Sequence, residues 1–181
     1  MLMGLKAKFQ ASARALNKVD TLVLTGLLAA LQIVSQYFEI PLLMELRISF
    51  EFVFLSACGM LFGPVVAALQ GVAADLVGFM IRPDGPFFPG YTLTAMLAGL
   101  LYGCFFYKTR ITWVRALACK LTVNVLLHMG LNTLWSYLLY NVGFWAHLAR
   151  SAQKNLLMLV VEVPLLLLTW QIVQRVRRGA A

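Results

Sequence analysis

Polar side chains that interrupt a long apolar stretch are the first residues in this sequence suited to chemistry. The clearest series has four-residue spacing and consists of Asn124, His128, Asn132 and Ser136, with Trp135 alongside. Because residues four apart lie on the same side of an α-helix, the spacing predicts a hydrogen-bonding stripe. Such a stripe either bonds to a neighbouring helix or lines a polar pocket. We expect Asn132 and Trp135 to line a site. Asn124 and His128 lie deeper, where packing is the simpler role.

An aromatic segment, Phe87-Phe88-Pro89-Gly90-Tyr91-Thr92, is the second candidate. It overlaps the end of a nine-residue break, residues 82–90, whose three prolines and two glycines predict a non-helical loop. Thr92 is suited to cap the helix that follows, and a helix N-terminus attracts anions or ring acceptors. Phe88 and Tyr91, set beside a rigid bend, suit stacking on a flat aromatic solute.

Charged residues near the predicted membrane surfaces form the third candidate group. Asp75 lies two helical turns before Arg82 on a similar face, and a buried acid needs a partner or a ligand donor. Arg47 and Glu51 have the spacing of a helical ion pair, which is a purely structural alternative. Four cations fall on the predicted outer side, namely Arg47, Arg82, Arg150 and Lys154. They either contact lipid phosphates or form a ring that receives an anionic ligand, since arginine matches carboxylates geometrically.

Motifs for catalysis, cofactor binding and metal binding are missing from the sequence. It contains no complete GxxxxGK[ST] phosphate loop, no HExxH pair and no paired carboxylates for acid–base chemistry. The two histidines, His128 and His147, lie far apart, and the three cysteines lie within apolar runs. We therefore expect a protein that is not an enzyme and that uses no cofactor and no metal.

The elements that must position these residues follow from the composition. The chain has 181 residues, of which 61% are hydrophobic and 12% charged, with a mean hydropathy of +0.83. A soluble domain is about half apolar and about a quarter charged. A membrane helix needs about 20 apolar residues, so six helices would use about 120. The composition predicts an all-α membrane protein, a six-transmembrane-helix bundle too short to include its own ATP-driven motor.

The hydrophobic pattern divides the chain into three parts. Residues 1–18 form a basic cytoplasmic lead-in, residues 19–174 the six-helix substrate-binding domain, and residues 175–181 a basic cytoplasmic tail. The predicted spans are residues 19–38, 48–62, 64–81, 91–107, 116–140 and 155–173.

The net charge of +8 is explained by membrane orientation. With six spans both termini share one side, which collects Lys6, Lys8, Arg14, Lys18, Lys108, Arg110, Arg115, Arg175, Arg177 and Arg178, and Lys120 as a possible eleventh. The other side holds the four outer cations. Because cytoplasmic loops carry the excess of positive charge, both termini are predicted to be cytoplasmic, and no nucleic acid is needed as a partner.

Small residues at four-residue spacing predict close helix contacts, because they let backbones approach each other within a membrane. Pairs in the predicted third and fourth spans, such as Ala67 and Gly71 or Gly99 and Gly103, favour packing inside the bundle. Gly26 and Ala30 lie in the first span, where the same spacing serves either internal packing or the docking of a partner helix.

Several motifs together resemble a known family. They are Leu46-Arg47-Ile48-Ser49-Phe50, Phe62-Gly63-Pro64-Val65, Asp75-Leu76-Val77-Gly78, Phe88-Pro89-Gly90-Tyr91-Thr92-Leu93-Thr94-Ala95, Gly99-Leu-Leu-Tyr-Gly103 and Leu131-Asn132-Thr133-Leu134-Trp135. The chain resembles the substrate-binding S components of energy-coupling factor (ECF) vitamin transporters, and the last three motifs resemble the folate-specific branch.

The resemblance implies a function and partners. S components are multi-pass proteins of prokaryotic cell membranes that bind a vitamin from outside with high affinity. They dock on a shared ECF module of one transmembrane coupling subunit and two ATPases, and ATP hydrolysis tilts them. The resemblance assigns docking to Gly26 and Ala30, with a glycine where the family motif has alanine.

With folate as the ligand that the resemblance implies, the chemistry and depth of individual residues lead us to expect particular site residues. The expected substrate-binding set is Arg47, Asp75, Arg82, Phe88, Gly90, Tyr91, Thr92, Asn132, Trp135 and Lys154. Asp75 or Asn132 would hydrogen-bond the pterin edge, and Phe88, Tyr91 and Trp135 would stack on the rings. Arg47, Arg82 or Lys154 would meet the carboxylates, and residues 39–46 would act as a lid.

Three alternatives stay open at this point. One is an S component for a smaller vitamin, such as pantothenate or hydroxymethylpyrimidine. Another is a membrane scaffold whose polar stripe faces a neighbouring helix without a cavity. The third is a membrane-embedded enzyme, for which the sequence offers no nucleophile–base pair.

Overall fold

The computed structural model describes residues 4–36, 40–43, 46–48, 50–83, 85–140 and 143–179. Their helices are α1 (Leu5–Ala15), α2 (Val19–Ser35), α3 (Glu51–Phe62), α4 (Pro64–Ile81), α5 (Pro89–Phe106), α6 (Trp113–Val123), a π-helix (Asn124–Leu131), α7 (Asn132–Tyr140) and α8 (Phe144–Gly179). Two short strands, β1 (Ile40–Leu43) and β2 (Leu46–Ile48), pair antiparallel between α2 and α3. Apart from this hairpin, which the all-α prediction did not include, the regular elements of the described residues are therefore helices.

Four helical runs within the described residues are long and apolar enough to cross a membrane: Pro64–Ile81, Pro89–Phe106, Trp113–Leu139 and Leu148–Val176. The pair of α1 and α2 meets the same criterion together, although the two helices are bent by 94°. Helix α3 has 12 residues and is about 18 Å long, against a hydrocarbon core of about 30 Å. The protein is thus a helical membrane protein with four to five candidate spans among the described residues.

Two predicted segments outside the spans are in fact helical. Arg150 and Lys154, expected in an outer loop, lie on α8, and so does the basic segment beginning at Arg175. Helix α8 has 36 residues and is about 54 Å long, so it is longer than the membrane is thick. Its ends extend the last span where the sequence predicted a loop and a tail.

Glycines bring α4 and α5 into backbone contact. A Cβ atom at Gly99 would overlap the carbonyl oxygen of Ala67, and one at Gly103 would overlap the backbone of Pro64. A Cβ at Gly71 would overlap the carbonyl oxygen of Ala95. These contacts confirm that the small-residue spacing in α4 and α5 serves internal packing.

Helix α1 is fastened across the ends of α4 and α5. The Ser12 hydroxyl accepts hydrogen bonds from the backbone N–H groups of Val65 and Val66, at 3.0 and 3.3 Å. These are orphan donors at the first turn of α4. The Lys8 ammonium donates to the carbonyl of Cys104 in the last turn of α5, at 2.7 Å. The basic lead-in therefore packs against the bundle.

A buried ion pair lies between α6 and α8. Lys120 Nζ is 3.0 Å from Glu162 Oε1, and the two side chains are 2% and 10% exposed. Lys120 also donates to the Tyr102 hydroxyl at 3.3 Å and lies 4.2 Å from the centre of the Phe52 ring. Lys120 is thus a core residue, and its assignment as a possible surface charge that sets orientation was wrong.

Candidate ligand-binding site

The N-terminus of α5 is the centre of the site. Helix α5 begins at Pro89, and the extended Phe88 precedes it. Proline is common at the first position of a helix, because a backbone N–H there has no partner within the helix and its loss costs nothing. Pro89 and Gly90 are thus helical, although the sequence predicted a loop as far as residue 90.

Thr92 lies inside the first turn of α5 and does not cap it, which corrects the predicted capping role. Its hydroxyl donates a 2.6 Å hydrogen bond to Asp75 Oδ2 on α4. This short, charge-assisted bond uses one oxygen of the Asp75 carboxylate, and the second oxygen can accept a hydrogen bond from another donor. Arg82 follows the end of α4 with an extended backbone, so the predicted continuation of the helical face from Asp75 to Arg82 is wrong.

Three aromatic rings meet next to this turn. The ring centres of Phe88 and Trp135 are 5.3 Å apart at 61°, and those of Phe88 and Tyr91 are 6.1 Å apart at 77°. In an edge-to-face pair one ring contacts the other through its edge. Neither face of that first ring is used in the pair, so a ligand can stack on it. The structure thus brings together three of the predicted site residues, one just before α5, one on α5 and one on α7. We call Phe88, Tyr91 and Trp135 the aromatic cluster.

Gly90 is required at this position by the aromatic cluster. A Cβ atom there would overlap the Phe88 ring and would lie 2.8 Å from Trp135 Cδ2. A side chain added at this position would occupy the space that the two rings share, so any larger residue forces one of them to move.

Thr94 is a site residue that the sequence reasoning missed. Its hydroxyl accepts a 3.1 Å hydrogen bond from Trp135 Nε1 and donates a 3.0 Å bond to the Gly90 carbonyl. Thr94 is the second threonine of the Thr-Leu-Thr-Ala motif quoted above. Its place in that motif was the one sequence signal for a role in the site, but its hydrogen-bond partner Trp135 lies 41 residues away.

The polar stripe runs along the π-helix into α7. Hydrogen bonds in a π-helix join residues five apart, so each turn is slightly wider than in an α-helix, and residues four apart stay on nearly the same face. Asn124 is buried and donates to the carbonyl of Asn155 on α8 at 3.4 Å, which fits a packing role. Asn132 Nδ2 lies 3.5 Å from His128 Nδ1. Asn132 Oδ1 is buried and has no hydrogen-bond partner within the described chain.

The outer cations that were predicted to meet the ligand lie on different elements of the described structure. Arg82 and Lys154 are exposed, one after the end of α4 and the other on α8. Arg47 lies in β2, and its side chain falls outside the described part of the structure. The predicted lid at residues 39–46 is described only where it forms β1 and the start of β2.

The predicted docking pair lies on an open helix face. Gly26 and Ala30 are exposed on α2, and a Cβ atom at Gly26 would have no neighbour within 4 Å. Leu22, Leu27 and Val34 are also exposed along α2. This face of α2 is therefore not used for packing by the described residues.

Comparison with known proteins identifies the family. The family model described as "ECF transporter, substrate-specific component" matches residues 20–172. This chain belongs to that family. The S component is 29% identical over 160 residues to the folate transporter FolT of Clostridium novyi, covering 88% of the chain and 93% of the relative. It is 30% identical over 154 residues to the folate transporter FolT of Leuconostoc mesenteroides, covering 81% and 83%.

A solved structure is similar to this S component as well. The structure titled "Crystal structure of FolT bound with folic acid" matches with a TM-score of 0.72 and 36% sequence identity. The match covers 80% of the S component and 88% of that chain. The family predicted from the sequence motifs is confirmed, and membership of a transporter family favours a transport role over an enzymatic one.

Proposed function

We propose that this chain is a high-affinity folate-binding S component of an ECF-type ABC importer. The observation that carries the proposal is the match, at 36% identity and a TM-score of 0.72, to a FolT structure bound with folic acid. The two folate transporters compared above, from Clostridium novyi and Leuconostoc mesenteroides, support the same ligand.

The site geometry suits the chemistry of folate. Its flat pterin stacks on a face of the aromatic cluster, as aromatic ligands do in protein pockets. The 2-amino group and ring N–H of the pterin are donors, and they require acceptors. Asp75, whose carboxylate already lies at the α4–α5 contact, and the buried Asn132 Oδ1 are the acceptors that we assign to them.

The glutamate carboxylates of folate lie at the mouth of this proposed pocket. Arg47, Arg82 and Lys154 are the cations that we assign to them, because each is on the predicted outer side. Gly90 keeps the aromatic cluster open, and Thr92 orients Asp75. The hairpin of β1 and β2 serves as the lid.

Membrane topology and coupling form the second part of the proposal. Helices α2 and α3 complete six spans with the four long helical runs, and both termini lie in the cytoplasm of a bacterial cell. Because the chain has no phosphate-binding motif, it depends on an ECF module of one coupling subunit and two ATPases. That module docks at Gly26 and Ala30 and tilts the S component when ATP is hydrolysed.

Calorimetric titration of the purified chain in detergent tests the ligand. Folic acid is expected to bind at one site per chain, while pantothenate and hydroxymethylpyrimidine release no binding heat. Preferential binding of either smaller vitamin would assign the chain to another S component specificity. A folded chain that binds none of the three would contradict a vitamin-binding role and favour the scaffold.

A further inference from the structure

The Thr94 hydroxyl is a fixed acceptor for the indole of Trp135. A hydroxyl has one hydrogen to donate, and that of Thr94 points to the Gly90 carbonyl one turn earlier, at 3.0 Å. The lone pairs of the same oxygen therefore remain for Trp135 Nε1 at 3.1 Å. Because Thr94 is 7% exposed, water does not readily replace either partner. The direction of both hydrogen bonds follows from this arrangement.

The indole of Trp135 is restrained at two further points. Its Cδ2 atom faces Gly90, where a Cβ would be 2.8 Å away, and its ring centre lies 5.3 Å from that of Phe88. These contacts limit the ring to a narrow slot but are made by carbon atoms, which do not distinguish an indole from its flipped orientation. The N–H of tryptophan is its one polar group, so its hydrogen bond to Thr94 selects the orientation.

We propose that Thr94 is a positioning residue that fixes the plane of the Trp135 indole for stacking on a flat aromatic ligand. The inference rests on the proposed function, which supplies folic acid as that ligand. Thr94 need not touch the ligand itself. Stacking depends on the orientation of the ring, and an indole that is already held in the bound orientation loses less freedom when the ligand arrives.

Four variants separate this role from a general role in helix packing. Thr94→Val keeps the shape of the side chain and removes the hydroxyl, whereas Thr94→Ser keeps the hydroxyl. Trp135→Phe keeps an aromatic ring and removes the N–H that Thr94 accepts. The double variant Thr94→Val/Trp135→Phe completes a cycle, which isolates the interaction between the two side chains.

Titration with folic acid gives the expected pattern. Thr94→Val weakens binding about tenfold, the usual scale for one buried hydrogen bond, and Thr94→Ser stays within about twofold of the wild type. In the Trp135→Phe background, Thr94→Val changes the affinity by less than about twofold. Should Thr94→Val fail to fold, Thr94→Ala makes the same comparison with a smaller side chain.

A spectroscopic measurement follows the hydrogen bond directly. A variant that retains Trp135 and replaces Trp113, Trp145 and Trp170 by Phe reports this one indole. Its ultraviolet resonance Raman band for indole N–H bonding is expected to shift toward the free form in Thr94→Val and to return in Thr94→Ser. An unshifted band would show that the Thr94 bond to Trp135 is not made and would overturn the inference.

The outcomes separate this inference from the proposed function. A wild-type chain that does not bind folic acid overturns the proposed function, and this inference with it. A wild-type chain that binds folic acid while Thr94→Val binds it equally well overturns the positioning role alone. Equal losses in the wild-type and Trp135→Phe backgrounds also overturn it, because they assign the effect of Thr94 to a different partner.

Discussion

The buried pair of Lys120 and Glu162 gives a prediction whose size follows from the geometry. We consider Glu162→Leu, Lys120→Met and the double variant. The two charges are 3.0 Å apart and 2% and 10% exposed, so removal of one partner leaves the other desolvated. Loss of one member of such a pair costs about 3–5 kcal/mol of folding free energy, while replacement of both by apolar residues of similar volume is often close to neutral.

The surroundings of Lys120 refine the expected magnitude. In Glu162→Leu the ammonium keeps the Tyr102 hydroxyl at 3.3 Å and the face of the Phe52 ring at 4.2 Å. A desolvated cation–π contact contributes about 2 kcal/mol, so we place this variant near the lower end, at about 3 kcal/mol. The double variant is expected within about 1 kcal/mol of the wild type.

Reversible unfolding in detergent by a denaturant series measures these differences in the free energy of unfolding. The two single variants and the double variant form a cycle, and the expected coupling between Lys120 and Glu162 exceeds about 2 kcal/mol. Additive losses, with the double variant the least stable of the three, would refute the reasoning. Such a result would mean that the two side chains contribute independently of their contact.

Three further predictions concern packing, docking and the ligand. Gly99→Val places methyl groups against the Ala67 carbonyl and should lower the free energy of unfolding by about 1–3 kcal/mol, whereas Gly143→Ala, which has no neighbour within 4 Å, should leave it unchanged. Gly26→Leu should preserve folding and folic acid binding, because a Cβ there has no neighbour within 4 Å. The same variant should abolish folate uptake in cells that carry an ECF module, with Gly26→Ala as the milder control. Uptake by Gly26→Leu at the wild-type rate would contradict docking at this face. Asp75→Ala should weaken folic acid binding about 10- to 100-fold by loss of a charged acceptor, and Thr92→Val should have the smaller effect; the reverse order in calorimetry would remove Asp75 from the ligand contacts.

Features that depend on residue size and on the spacing of residues close together in the sequence were predictable. The glycine series in α4 and α5 predicted their backbone contact, because a missing Cβ permits close approach whatever the partner is. The bounds of α4 were also predicted, since the Gly63-Pro64 turn precedes it. Gly63 has φ +93°, a conformation that favours glycine, and Pro64 begins the helix.

Features that depend on distant partners were not predictable. Thr92 looked like a helix cap because a threonine at the expected helix start has that local preference, but its hydroxyl bonds to Asp75, 17 residues earlier. Lys120 looked like a surface charge until α8 placed Glu162 beside it. The π-helix at Asn124–Leu131 has no comparable signal in local spacing, because it is defined by backbone hydrogen bonds that join residues five apart.

A crystal structure of the chain grown with folic acid is the most direct measurement of the central claim. The account predicts the pterin against the aromatic cluster, with its amino edge toward Asp75 or Asn132 and its carboxylates toward the outer cations. The indole N–H of Trp135 should remain bonded to Thr94 in that complex. Folic acid bound away from Phe88, Tyr91 and Trp135, or a folded chain that crystallises without it at saturating concentration, would contradict the claim.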